Sequence, residues 1–95
     1  MMKIDTLLQL LKIDLGITHS LRDEYFMTLL QSSKKEIERK GVTLEMNHMD
    51  DQMLVVDYAA WVYRNRQNNL PLAPHLRFRI HNRLIQKAGS IHATN

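Results

Sequence analysis

The chain contains no cysteine, which excludes a disulfide framework, a thiol nucleophile and a thiolate metal site. No apolar run approaches the ~20 residues a membrane-spanning helix needs. Asp5 and Asp14 would interrupt the hydrophobic stretch of any leader peptide, so synthesis inside the cell is the expectation. Catalytic signatures are missing as well. There is no Gly-rich phosphate loop, no Walker lysine, no nucleophile elbow and no His-Glu-x-x-His helix. The five histidines are scattered, and no two stand four residues apart. After Asp57 there is no acidic residue at all.

What is present reads as one small helical domain. A chain of 95 residues cannot support two cores, and a compact one has a radius of gyration of roughly 12 Å. Ile4, Leu7, Leu8, Leu11 and Leu15 repeat at the helical period, predicting a first helix over about 5–15. Asp5 would be its N-cap and Gly16 its terminating residue. Leu10 and Ile13 fall off that stripe. A second helix is predicted over 20–40, opening on Ser20 with Asp23 as a weak capping box. Phe26, Leu29, Leu30, Ser33 and Ile37 share its inner face, and Gly41 stops it. The charge run 34–40 reads as a solvated face with pairs such as Glu36–Lys40. Residues 42–49 form a connector, where alternating Val42, Leu44 and Met46 permit a short extended stretch. Asn47, Asp50 and Asp51 then offer caps and favourable charge for a third helix, about 50–66.

That third helix is apolar nearly all round. Leu54, Val55, Tyr58, Trp61 and Val62 cover one wide arc, with Val56, Ala59, Ala60 and Tyr63 on the others. Such a helix must be covered on more than one side, and so small a domain is expected to need another subunit for part of it. Asp57 is the one charge between Met53 and Tyr63. A structural pair with an arginine is favoured for it over a buried catalytic acid. His48 with Asp50 and Asp51 reads as helix-start capping rather than a metal site. No metal or cofactor is expected. Both prolines fall in the break 68–74. The segment that follows alternates like a strand over 76–81, but Leu76, Ile80 and Leu84 fit a helix. Pro74 at its start and Gly89 after its end favour a helix over about 74–88. The fold expected is all-α: four helices in a single domain, 1–88, followed by a loose, disordered tail, 89–95.

The charge is segregated. Residues 1–57 carry ten acids and seven bases, whereas 58–95 carry Arg64, Arg66, Arg77, Arg79, Arg83 and Lys87 with no acid. On a helix Arg79, Arg83 and Lys87 form one ridge. Arg64 and Arg66 close the preceding helix, where they complement its negative end. Those six residues are the candidate electrostatic interface, toward nucleic acid, an acidic protein or a neighbouring copy. Leu54, Val55, Tyr58, Trp61 and Val62 are the candidate core or subunit interface. A second reading comes from Leu15-Gly16-Ile17-Thr18, which resembles the turn of a helix-turn-helix DNA-binding regulator. The start of the helix after it, however, reads Leu21-Arg22-Asp23-Glu24-Tyr25, and its two acids would repel phosphates.

Four stretches together carry a family resemblance. They are Lys12-Ile13-Asp14-Leu15-Gly16-Ile17; Lys35-Glu36-Ile37-Glu38-Arg39-Lys40-Gly41-Val42-Thr43-Leu44; Asp51 through Arg64; and Pro74-His75-Leu76-Arg77 with Asn82-Arg83. Over about residues 2–88 the chain resembles the small helical head–tail connector (adaptor) proteins of long-tailed bacteriophages and their prophage equivalents. The resemblance implies a non-enzymatic virion protein, made in the bacterial host cytoplasm. It would pack with copies of itself into a ring at the head–tail junction. Its further partners would be the portal protein and a tail-completion or tail-terminator protein. DNA would pass through the channel without sequence-specific binding, and no membrane would be involved. In such a ring the ridge Arg79, Arg83 and Lys87 is expected to meet an acidic protein surface, because strong phosphate binding would hinder sliding DNA.

Overall fold

The computed structural model describes residues 4–93, with side chains through 86. Four helices follow in order: α1 (Ile4–Leu15), α2 (Asp23–Arg39), α3 (Met49–Arg64) and α4 (Pro74–Ala93). The all-α expectation holds, and segment 75–81 is helical. The connector 42–46 forms no strand.

The stripes read from periodicity are the faces that pack. Leu7, Leu8 and Leu11 of α1 meet Phe26, Leu29, Leu30 and Ile37 of α2 in a single core that also holds Leu54, Val55, Val56 and Tyr58. Ser33 is buried with its stripe, and Ile13 is exposed off it. α1, α2 and α3 pack pairwise, whereas α4 lies chiefly along α3, adding Leu76 and Ile80 to the core. With its fourth helix laid on the outside, the molecule measures 51 × 34 × 18 Å and has a radius of gyration of 14.3 Å.

α1, α2 and α4 all pack against α3, while Met53, Trp61, Val62 and Tyr63 keep part of their surface open. Leu54, Val55 and Tyr58 are buried within the chain, and Trp61 and Val62 are half-buried. Three flanking helices bury the middle of α3 even in a domain this small. The fully buried Ala59 and nearly buried Ala60 leave room for close packing around it.

Helix ends obey two glycines. At α1, Ile17 N–H donates to Lys12 C=O (2.9 Å) and Gly16 N–H to Ile13 C=O (3.2 Å), the paired bonds of a Schellman turn, with Gly16 at φ +73°. At α2, Gly41 takes φ +100°, and its N–H bonds back to Glu38 C=O at 2.9 Å. The helix starts depart from expectation. Asp5 lies inside the first turn of α1, and α2 begins at Asp23 rather than 20, without a side-chain cap. His48 takes the cap position of α3, with Asp50 and Asp51 in the first turn. Charge beside the positive helix end therefore replaces side-chain capping at α2 and α3. α4 passes through Gly89 to Ala93, since one helical glycine costs only about 1 kcal/mol. Residues 94–95 and the side chains of 87–93, which include most of the expected tail, lie outside the described residues.

Two measurements test this account. A Cβ on Gly41 would stand 3.2 Å from Leu84 Cδ2, whereas one on Gly16 would meet nothing. Gly41→Ala should therefore destabilise the fold by more than the ~1–2 kcal/mol of backbone strain expected for Gly16→Ala, as read by urea unfolding. Burial, reinforced by the Glu36 carboxylate, pushes the Tyr58 phenol above its ordinary 10.0. Above pH 10 the unfolded chain loses this proton before the folded one, so stability is complete below that pH and falls above it. Comparison of wild type with Tyr58→Phe should show a steeper alkaline loss in the wild type.

Candidate interaction surface on the last helix

Arg79 and Arg83 of the basic ridge face inward. Arg79 donates to Asp57 Oδ2 at 2.7 Å, and Arg83 donates to Asp51 Oδ2 at 2.9 Å. Moving toward the C-terminus of α4 thus means moving toward the N-terminus of α3, so the two helices run antiparallel. Arg83 also donates to Thr43 C=O at 3.0 Å. Asp51, only 1% exposed, accepts in addition the Glu45 backbone N–H at 2.6 Å. One carboxylate thereby joins α3, the α2–α3 loop and α4. The expectation that no acid neutralises the ridge is corrected. Counting charge along the chain hid the fact that the last two acids, Asp51 and Asp57, lie on the sides of α3 that α4 crosses. Asp57 has the arginine partner expected of it.

The other basic candidates divide. Arg64 reaches back to the end of α1, with Nη1 3.1 Å from Asp14 Oδ2 and Nη2 donating to Asp14 C=O at 2.7 Å. Arg66 donates to the Tyr63 carbonyl and stacks 4.1 Å from the centre of its ring, so it serves the C-terminal end of α3 as expected. Arg77 is exposed and has no carboxylate partner among the described residues. The Lys87 side chain lies outside them.

Three further contacts complete the ion pairs of α1 and α2 among the described residues. Lys12 is buried, with Nζ 2.9 Å from Asp23 Oδ1, which pins α1 to the start of α2. On the surface of α2, Glu36 pairs with Arg39 rather than Lys40, and Lys34 with Glu38 at 3.6 Å. These exposed pairs add little stability.

With Arg79 and Arg83 turned inward, α4 presents a different face outward. Phe78 and Ile85 are 65% and 54% exposed. Seven residues apart, they share the side of the helix opposite Leu76 and Ile80. Beside them runs a groove of about 270 Å³, lined by Leu72, Ile80 and Leu84 with Lys40, Arg77 and His81. No acid borders it. The spacing of Phe78 and Ile85 was readable in the sequence, but the Leu76–Ile80–Leu84 stripe and the strand-like alternation drew attention away from it.

Chemically this surface is apolar with a cationic rim, suited to a partner that is apolar and acidic. It offers no convergent nucleophile and base. Asp51 is committed to Arg83, and no group of three His, Cys, Asp or Glu able to share an ion occurs among the described residues. Comparison with known proteins finds no matching family model, no matching curated protein and no matching solved structure.

Asp51→Asn leaves Arg83 without its counter-charge and weakens acceptance from the Glu45 N–H. Breaking a buried pair costs about 3 kcal/mol, and that loss should appear in chemical unfolding. Asp50→Asn next to it, exposed and without an ion-pair partner among the described residues, should cost only its helix-end charge, about 0.3–1 kcal/mol.

Proposed function

We propose that this chain is a structural subunit that acts by assembly, a connector of the kind that forms a ring between portal and tail in long-tailed bacteriophages. The single observation that carries the reading is the outward face of α4, where exposed Phe78 and Ile85 adjoin an apolar groove rimmed by cations. Large apolar side chains gathered on one helix face mark an interaction site more often than scattered ones do. Further support lies in where the resembling segments fall. They occupy the turn after α1, the stop of α2, α3 from Asp51 onward, and the start and middle of α4, parts that determine how four helices pack.

The structure alters how such a connector would use its charge. Arg79 and Arg83 are spent within the subunit, so contact with an acidic portal or neighbouring subunit falls to Arg77 and Lys40. Engaging Arg79 and Arg83 within the fold also suits DNA that must slide, because each phosphate neutralised releases counterions and tightens the hold. The DNA-binding regulator draws less support. Seven residues separate α1 from α2, against the three or four of a helix-turn-helix. Asp23, at the head of the second helix, is engaged by Lys12.

Native mass spectrometry over a range of concentrations tests the proposal. The wild-type chain should form a closed species of many copies, and Phe78→Asp with Ile85→Asp should return it to monomer at unchanged helix content. A chain that stays monomeric at every concentration overturns the proposal. So does a monomer or dimer that binds duplex DNA with a steep salt dependence.

A further inference from the structure

The groove on one flank of α4 has its complement on the other flank of the same molecule. Arg77, Ile80, His81 and Leu84 border the groove. Arg79, Asn82, Arg83 and Gln86 border a second cleft, of about 230 Å³, shared with Asp50 and Asp51. At 100° per residue these two sets lie on nearly opposite sides of the helix. Next to the second cleft the chain enters α3, and there Met49 is 75% exposed. Glu45 and Asp50 are exposed nearby, and neither has an ion-pair partner among the described residues. One flank is thus an unpartnered methionine among free acids, and the other an acid-free apolar groove among free cations.

We propose that Met49 and Asp50 of one copy seat in the groove of the next, with the methionine on Leu72 and Leu84 and the carboxylate toward Arg77 and Lys40. The inference rests on the assembly reading and supplies its interface. An unbranched thioether adapts to an irregular apolar groove. Opposite charge at the rim sets the register and disfavours like-with-like docking. Because knob and groove are different surfaces, the contact is heterologous. Each copy offers both halves, and the series closes into a ring where the rotation between copies allows. Phe78 and Ile85, adjoining His81 on the same helix, widen the buried patch toward the ~800 Å² per partner that a stable interface needs.

The absence of native cysteine allows a clean test in the full chain. Under mild oxidation, Met49→Cys mixed with Leu72→Cys should give a disulfide-linked dimer of the two variants, and the double variant should give a ladder. Arg77→Glu should cut the ladder by about tenfold or more, and adding Asp50→Arg should restore it. Native mass of the charge variants without the cysteines should follow the same order. If each single-cysteine variant links mainly to itself, the contact is symmetric and the proposal fails. If no link forms while the wild type keeps its multimeric mass, this interface is wrong and the assembly reading survives. A wild type with no multimer removes both.

Discussion

A carboxylate taken out of water is costly unless charge and hydrogen bonds replace its hydration. Asp51 meets that condition with Arg83 from α4 and the Glu45 N–H from the loop before α3. The rest of α4 follows from this one junction. With Arg83 held at Asp51, the residue one turn earlier, Arg79, comes to Asp57, and Leu76 and Ile80 turn into the core. Phe78 and Ile85 are then obliged to face outward. A shift of α4 by one residue would strand a buried charge, so the pair sets the orientation of the helix more than it adds net stability.

Periodicity made most of the fold legible. The α2 stripe matched its buried face residue by residue, and the middle of the α1 stripe, Leu7, Leu8 and Leu11, is buried while Ile4 and Leu15 are partly so, because a 3.6-residue repeat of apolar side chains has only one way to meet a core. Gly16 and Gly41 were readable for an equally local reason, since both take the positive φ that glycine tolerates best. Coverage of α3 was not legible, because periodicity says that a helix must be covered but not by how many neighbours. Nor were the cross-helix pairs. Lys12 and Asp23 look like ordinary surface charges, and the arginine ridge looks unneutralised until α3 and α4 are laid antiparallel. Of the candidate surface, Arg77 was anticipated, while Lys40, His81, Phe78 and Ile85 emerged only once the inward side of α4 was known.

Charge segregation along the chain therefore has a conformational meaning before any intermolecular one. The acid-free C-terminal third folds back on acids of the preceding helix, which commits Arg79 and Arg83 within the fold. A net charge of +3 then says little about affinity for nucleic acid, because charges engaged within the fold are not available to phosphates.

The layout of the helices also orders events in time. α1, α2 and α3 are consecutive and mutually packed, a pattern of mostly local contacts that folds quickly. α4 is synthesised last and docks chiefly on α3, a surface that is complete only once the three earlier helices have met. The groove between Lys40, Leu72 and α4 does not exist before that docking. A nascent or partly folded chain consequently lacks the receiving half of the proposed contact, so a series built by that contact would stop at an unfinished copy.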